Sequence, residues 1–139
     1  MATDVQIVIS DNKEFLDIEI VHGFLKRSSW AANRTRETLE KSISSSICFG
    51  AYAEKKQVAF ARIVSDCCTF AYLCDVFVDE NYRGRGISKE LMTAIMKHPD
   101  LQSYRRFTLA TENAHRLYAQ FGFKNVPVNL FMEIKNDNI

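Results

Sequence analysis

Apolar and polar residues alternate in Val5-Gln6-Ile7-Val8-Ile9, and Ser10-Asp11-Asn12 closes what reads as an opening strand. The period then lengthens. Asp17 is placed to cap a helix carrying Ile20, Val21, Phe24 and Leu25 on one face and stopping near Arg27-Ser28. Trp30 follows in an irregular stretch, and Thr35 is placed to cap a second helix through Leu39 and Ile43. Three segments rich in aromatic and β-branched residues come next: Ile47 to Ala53, Gln57 to Ser65 and Thr69 to Val78. The short polar runs between them, Glu54-Lys55-Lys56 and Asp66-Cys67-Cys68, predict tight turns and an antiparallel meander. Beyond Gly86 the residues Ile87, Leu91, Met92, Ile95 and Met96 mark a helical face that ends before Pro99. A short strand from Arg106 to Ala110, a short helix from Ala114 to Gln120 and a β tail from Phe123 to Ile134 complete the reading. The expected fold class is α/β, with a mixed, largely antiparallel central sheet flanked by helices.

Length and composition narrow the classes. A chain of 139 residues with no linker, repeat or Ser/Gly-rich stretch predicts a single domain over residues 1–139. Hydrophobic residues make up 47% and charged residues 25%, which excludes a disordered chain. With 18 basic residues against 17 acidic ones there is no electrostatic footprint for nucleic acid. No apolar run is long enough to span a bilayer, and Met1-Ala2-Thr3-Asp4 does not open a secretory signal. Cys48, Cys67, Cys68 and Cys74 form no C-x-x-C pair, so the expectation is free thiols in a reducing cytoplasm, without a metal site.

One segment carries chemistry by its pattern. Asp75-Val76-Phe77-Val78-Asp79-Glu80-Asn81-Tyr82-Arg83-Gly84-Arg85-Gly86-Ile87-Ser88 runs from a strand through a glycine turn straight into a long helix. The first amides of such a helix lack intrahelical partners and sit at the positive end of its dipole, which suits phosphate. Gly84 and Gly86 permit close approach of a ligand to the backbone, and Arg83 and Arg85 add charge. An ordinary basic turn capped by glycine is the alternative. The spacing matches neither the dinucleotide fingerprint nor a Walker loop. A second segment, Thr111 to Phe123, holds a short helix ending at Gly122, with Tyr118 near its end. Read alone, Tyr118 is equally a core tyrosine.

Together the two segments resemble the Gcn5-related N-acetyltransferase (GNAT) superfamily. Its pyrophosphate motif is matched by Arg83, Gly86 and Ser88, and its later motif by Ala114, Leu117-Tyr118 and Gly122-Phe123. The order of elements also fits along nearly the whole chain. Ser88 stands where the family usually has Gly or Ala, and Thr111 stands where it often has asparagine, with Asn113 two positions later.

The resemblance implies an acyl-CoA-binding fold and transfer of an acetyl group from acetyl-CoA to a primary amine. That amine would belong to a small molecule, polyamine-like in one reading, or to an exposed protein site. It implies that backbone groups of Phe77 and Val78 pair with the pantetheine arm, and that amides from Arg85 through Ile87 to Ser88 hold the pyrophosphate beside Arg83 and Gly84. Thr111 or Asn113 would meet the pantetheine, although Asn113 can instead cap the helix. By the same analogy Tyr118 is the acid that protonates the departing thiolate. Asp75, a carboxylate inside an apolar strand, is the candidate for receiving the amine's proton; pairing with Arg62 is its structural alternative. Trp30, Phe70 and Tyr72 are candidates for the acceptor pocket, each with core filling as the plainer role. His22 and His115 are weaker candidate bases, and Cys74 reads as packing. The family also allows a homodimer paired through the C-terminal strands. A non-catalytic acyl-CoA-binding regulatory module is the competing function.

Overall fold

The computed structural model describes residues 5–139; Met1 to Asp4, and the expectation that rested on them, lie outside the described residues. The opening strand β1 (Ile7–Ser10) leads through a short 3-10 turn to α1 (Ile18–Lys26) and α2 (Arg36–Ser44). Both helices begin where their caps predict. The Asp17 carboxylate accepts from the amide of Ile20, and the Thr35 hydroxyl accepts from that of Thr38. Buried Gln57 ties α1 to the sheet, its Oε1 accepting from the amide of Asp17 at 2.8 Å while its Nε2 donates to the Ala59 carbonyl at 3.1 Å.

The meander β2 (Ile47–Ala53), β3 (Lys56–Ser65) and β4 (Phe70–Val78) follows as expected. Glu54 and Lys55, at φ of 50° and 72°, form the two-residue hairpin between β2 and β3. Asp66 organises the β3–β4 turn by accepting from the hydroxyl of Thr69 and from the amides of Cys68, Thr69 and Phe70. Those four donors hold its carboxyl below the usual carboxylate range. Next come α3 (Ile87–Met96), β5 (Arg106–Leu109) and α4 (His115–Ala119). The sheet order is β1-β2-β3-β4-β5; the first four strands are antiparallel, and β5 lies parallel to β4.

Each face of the sheet has its own core. Val21, Phe24, Leu25, Leu39 and Ile43 from α1 and α2 pack with Cys48, Phe60 and Phe77 on one face. Ile87, Leu91, Met92 and Ile95 from α3, with Tyr118 from α4, pack with Phe49, Ala61, Ile63 and Leu73 on the other. Strand alternation delivers side chains to the two cores in turn. The β2–β3 ladder shifts register between Ala51 and Tyr52, and the β3–β4 ladder slips by one residue in β4: Phe60 pairs with Phe77, but Arg62 pairs with Cys74. Asp75 occupies this bulge at φ of 53°.

One expected element is absent. Phe123 to Ile134 does not form a strand, and β5 is hydrogen-bonded within the sheet to β4 alone. Pro127 has no amide for a ladder, and it accepts from Leu130 across a turn in which Asn129 has φ of 71°. The apolar side chains of Val128, Met132 and Ile134 are consequently exposed.

Candidate acyl-transfer site

Two parts of the fold hold the residues singled out from the sequence. The first is the junction between β4 and α3. Gly84 and Gly86 both have φ of 78°, a backbone conformation that disfavours any residue with a β-carbon. A β-carbon at either position would meet no protein atom within 4 Å, so the space beside both is open. Gly86 is the N-cap of α3 and supplies no side-chain acceptor. The first amides of a ten-residue helix thus end beside a cradle of bare backbone. Ile87 sends its side chain into the core, where it is 2% exposed, which leaves its amide as its polar group at the turn.

The basic residues of this turn are positioned by neighbouring rings and carbonyls. Arg83 Nε donates to the Val78 carbonyl at 3.0 Å, and its guanidinium lies over the Phe77 ring. Arg85 donates to the Asn81 carbonyl and lies over Tyr82. Arg27 makes a two-pronged bond to Glu80, at 2.8 and 3.0 Å, and holds that carboxyl at about 2. Phe77 stacks on Phe24 beneath this layer at a centroid distance of 5.1 Å.

The second part lies where β4 and β5 separate. Their pairing runs from Phe70–Arg106 to Leu73–Leu109 and stops, so the β4 edge from Cys74 to Val78 has no strand partner on that side. Phe77 and Val78 use their other edge to pair with Phe60 and Ala59. Tyr118 stands on the α3 side of this gap. It is 8% exposed and stacks edge-on with Phe123. Its hydroxyl makes no hydrogen bond within the protein, yet Tyr52 Oη is the only buried side-chain oxygen or nitrogen left without a partner among the described residues. The Tyr118 hydroxyl is therefore open to the groove of about 870 Å³ that Thr108, Thr111, His115 and Phe123 also line. Burial of the ring pushes its pKa up, which keeps the phenol protonated at neutral pH. Thr111 accepts from the amide of Ala114 at 3.0 Å and so closes the turn into α4, a role that had been open to Asn113. No side chain caps Ala114's helix by the usual N-cap bond, and Asn113 is exposed.

Asp75 lies on the opposite, α1–α2 side, in surroundings that favour the paired alternative over the role of base. Its Oδ2 accepts from Arg34 Nη1 at 2.6 Å and from Arg62 Nε at 2.9 Å, while Oδ1 accepts from Trp30 Nε1 at 3.0 Å. With its side chain 2% exposed, this is a carboxylate consumed by a buried ion network, the structural alternative raised from the sequence. Ser46 Oγ accepts from Arg62 Nη1 at 3.1 Å and joins the same cluster. Trp30 is tied to that cluster and half exposed, while Phe70 and Tyr72 follow the alternation of Cys74 and stand partly exposed on the same face.

Arg34 and Ser46 were not singled out from the sequence. The available signal was an arginine four residues after the sole tryptophan in a segment without helical or strand period. The remaining candidates are placed without chemistry. His22 Nε2 bonds the Arg34 carbonyl at 3.0 Å and so helps to position that loop, and His115 is exposed on α4. Cys74 is half-buried, and desolvation drives its thiol up to about 12 and leaves it neutral. No group of three or more His, Cys, Asp or Glu side chains among the described residues could hold a metal ion. No helix of the described chain is long and apolar enough to cross a membrane.

Comparison with known proteins agrees with this arrangement. Residues 44–125 match the acetyltransferase (GNAT) domain model. A GNAT-family protein of solved structure from Xanthomonas campestris pv. campestris is 44% identical, covers 96% of both chains and superposes with a TM-score of 0.90. A Gibberella zeae protein named as an acetyltransferase is 25% identical over 142 residues, spanning 85% of this chain and 79% of its own. A shorter match, 42% identical over 55 residues, joins 37% of this chain to 20% of the N-acetylaspartate synthetase of Xenopus tropicalis. From the strand-to-helix cradle, the parted strands and these relatives together, the chain belongs to the GNAT family of acetyltransferases.

Proposed function

We propose that the protein, acting as one domain over residues 1–139 in the cytoplasm, transfers an acetyl group from acetyl-CoA to the primary amine of a small molecule. The observation that carries this reading is the cradle at the start of α3. Two left-handed glycines with open space beside them face a helix end that no side chain caps. The amides of Arg85 to Ser88 would hold the pyrophosphate there, with Arg83 and Gly84 alongside. The free β4 edge at Phe77 and Val78 would bind the pantetheine arm as an added strand, and Thr111 or Asn113 would border it. Acetyl-CoA supplies an activated acyl group as a thioester.

The chain's own groups would then manage charge and protons. An amide on the parted edge of β4 can donate to a developing oxyanion. Tyr118 Oη holds a proton at neutral pH and would be the acid that gives it up to a leaving sulfur. An acid so positioned typically contributes about 10²–10⁴-fold. With Asp75 committed to its arginines, the amine's proton would leave through water rather than through that carboxylate. The match to a protein named N-acetylaspartate synthetase supports N-acetylation as the reaction type. Polyamine acceptors lose their support, because the carboxylate expected to attract them is already neutralised.

The test is release of free CoA thiol from acetyl-CoA across an amine panel, with acetyl-CoA affinity measured alongside. Amine-dependent release supports the enzyme. Tight acetyl-CoA binding without release for any amine would support the regulatory binding module.

A further inference from the structure

The ion network around Asp75 does not balance. One carboxylate serves two guanidiniums, Arg34 and Arg62, whose side chains are 12% and 13% exposed. Their other bonded partner, Ser46 Oγ, is neutral. Burial holds the neighbouring Cys48 and Cys74 thiols at about 11 and about 12, so neither supplies a negative charge. Glu133 on the C-terminal tail is near enough to raise the Tyr72 phenol, but it makes no ion pair with either arginine. An excess cation this deeply placed is unfavourable unless an anion completes it.

The geometry also leaves donors to spare. Arg34 hydrogen-bonds through Nη1 alone, and Arg62 through Nε and Nη1, so Nη2 of both and Nε of Arg34 have no protein acceptor. None of these atoms is a buried orphan, since among the described residues Tyr52 Oη alone has that status. They therefore reach solvent on the face that carries the half-exposed rings of Trp30, Phe70 and Tyr72. Guanidinium forks of this kind match the two oxygens of a carboxylate or phosphate.

We propose that the acceptor amine carries an oxyanion group, carboxylate or phosphate, that docks on the free N–H groups of Arg34 and Arg62 beside Trp30. The proposal rests on the acetyltransferase reading and names the substrate class for it. Asp75 then has the role of holding both guanidiniums beside Trp30, and the oxyanion completes the charge.

The experiment compares matched amines. Glycine, β-alanine and L-aspartate would each be assayed beside the fully amidated form, glucosamine 6-phosphate beside glucosamine, and spermidine as the cationic arm. At least one acid should exceed its neutral counterpart by thirtyfold or more in kcat/KM, and the carboxylate and phosphate arms identify which oxyanion is read. Equal rates within the pairs, or a preference for spermidine, would overturn the proposal. In Arg34→Gln the acid-to-amide ratio should collapse to within threefold, with partial recovery in Arg34→Lys. A purely structural Arg34 would depress both members alike and leave the ratio unchanged, which also overturns the proposal.

Binding provides a readout independent of turnover. Trp30 is the sole tryptophan, so its fluorescence reports on this cluster alone. A saturable change with an acid and not with its amide supports the oxyanion site even if no amine is acetylated, in which case the transfer reading fails by itself. No oxyanion-dependent change with any probe would remove the site.

Discussion

Asp75 meets Arg62 because the β3–β4 ladder slips by one residue between them. Arg62 pairs with Cys74 in register, and the bulge at Asp75 turns the next side chain to the same face, bringing Oδ2 to 2.9 Å from Arg62 Nε. Without that extra residue, alternation would send Asp75 toward the α3 core and bring Val76 to the arginines. Val76 instead packs with the α3 core, and Phe77 with the α1–α2 core. A single backbone irregularity in β4 thus brings Asp75 to the arginines and builds the charge cluster.

Asp75→Asn keeps the shape and leaves two guanidiniums without a counterion, so stability should fall by about 3–5 kcal/mol. Denaturant unfolding of the variant measures the loss. A variant as stable as the wild type would mean that the arginines do not depend on Asp75.

Tyr118→Phe should behave in the opposite way. The ring packs unchanged beside Phe123, while the groove loses its one phenolic proton donor on α4. We expect kcat to fall by about tenfold or more with the melting temperature nearly constant. Because burial raises the phenol above its ordinary 10, wild-type kcat should hold through neutral pH and decline only above that value. That alkaline limb should be missing in the variant; a normal kcat there would return Tyr118 to a packing role.

Gly84 and Gly86 offer a matched pair. At φ of 78° an alanine at either position is strained by about 1–2 kcal/mol, and neither would touch the protein. Strain is therefore common to both variants. Gly86→Ala should weaken acetyl-CoA binding by about tenfold, or 1.4 kcal/mol, beyond the effect of Gly84→Ala. A valine at Gly86 would add β-branched strain and blur this comparison. Calorimetric titration giving equal affinities would place the pyrophosphate elsewhere.

Tyr52 supplies a test of stability alone. Its buried hydroxyl has no partner, and its ring occupies the space over Gly50. Tyr52→Phe removes the orphan and should stabilise the fold by about 1–3 kcal/mol. Burial raises this phenol to about 12, so the unfolded chain ionises first as pH rises above 10. Wild-type stability should drop between those values. The variant should be spared this group's share, as read by thermal melts across the alkaline range.

Most of the fold is legible along the chain, because local physics decides those features. Asp17 and Thr35 cap the helices they precede, the short polar turns set an antiparallel meander, and Gly84 and Gly86 announce a helix start with bare backbone. The phosphate-like cradle was legible for the same reason, since it lies within one stretch of chain from Arg83 to Ser88. The C-terminal tail was misread because its apolar residues suggest a strand, whereas Pro127 and the left-handed Asn129 prevent a continuous ladder. Tertiary structure decided the remainder. That Asp75 is shared by Arg62, Arg34 and Trp30 depends on a bulge and on a loop 41 residues away, as the Arg34 contact is separated in sequence. Strand alternation alone assigns Asp75 to the wrong face, and a single sequence does not mark which ladder slips. The excess of positive charge at the Asp75 cluster follows from that slip and from the Arg34 loop, so only the folded chain displays it.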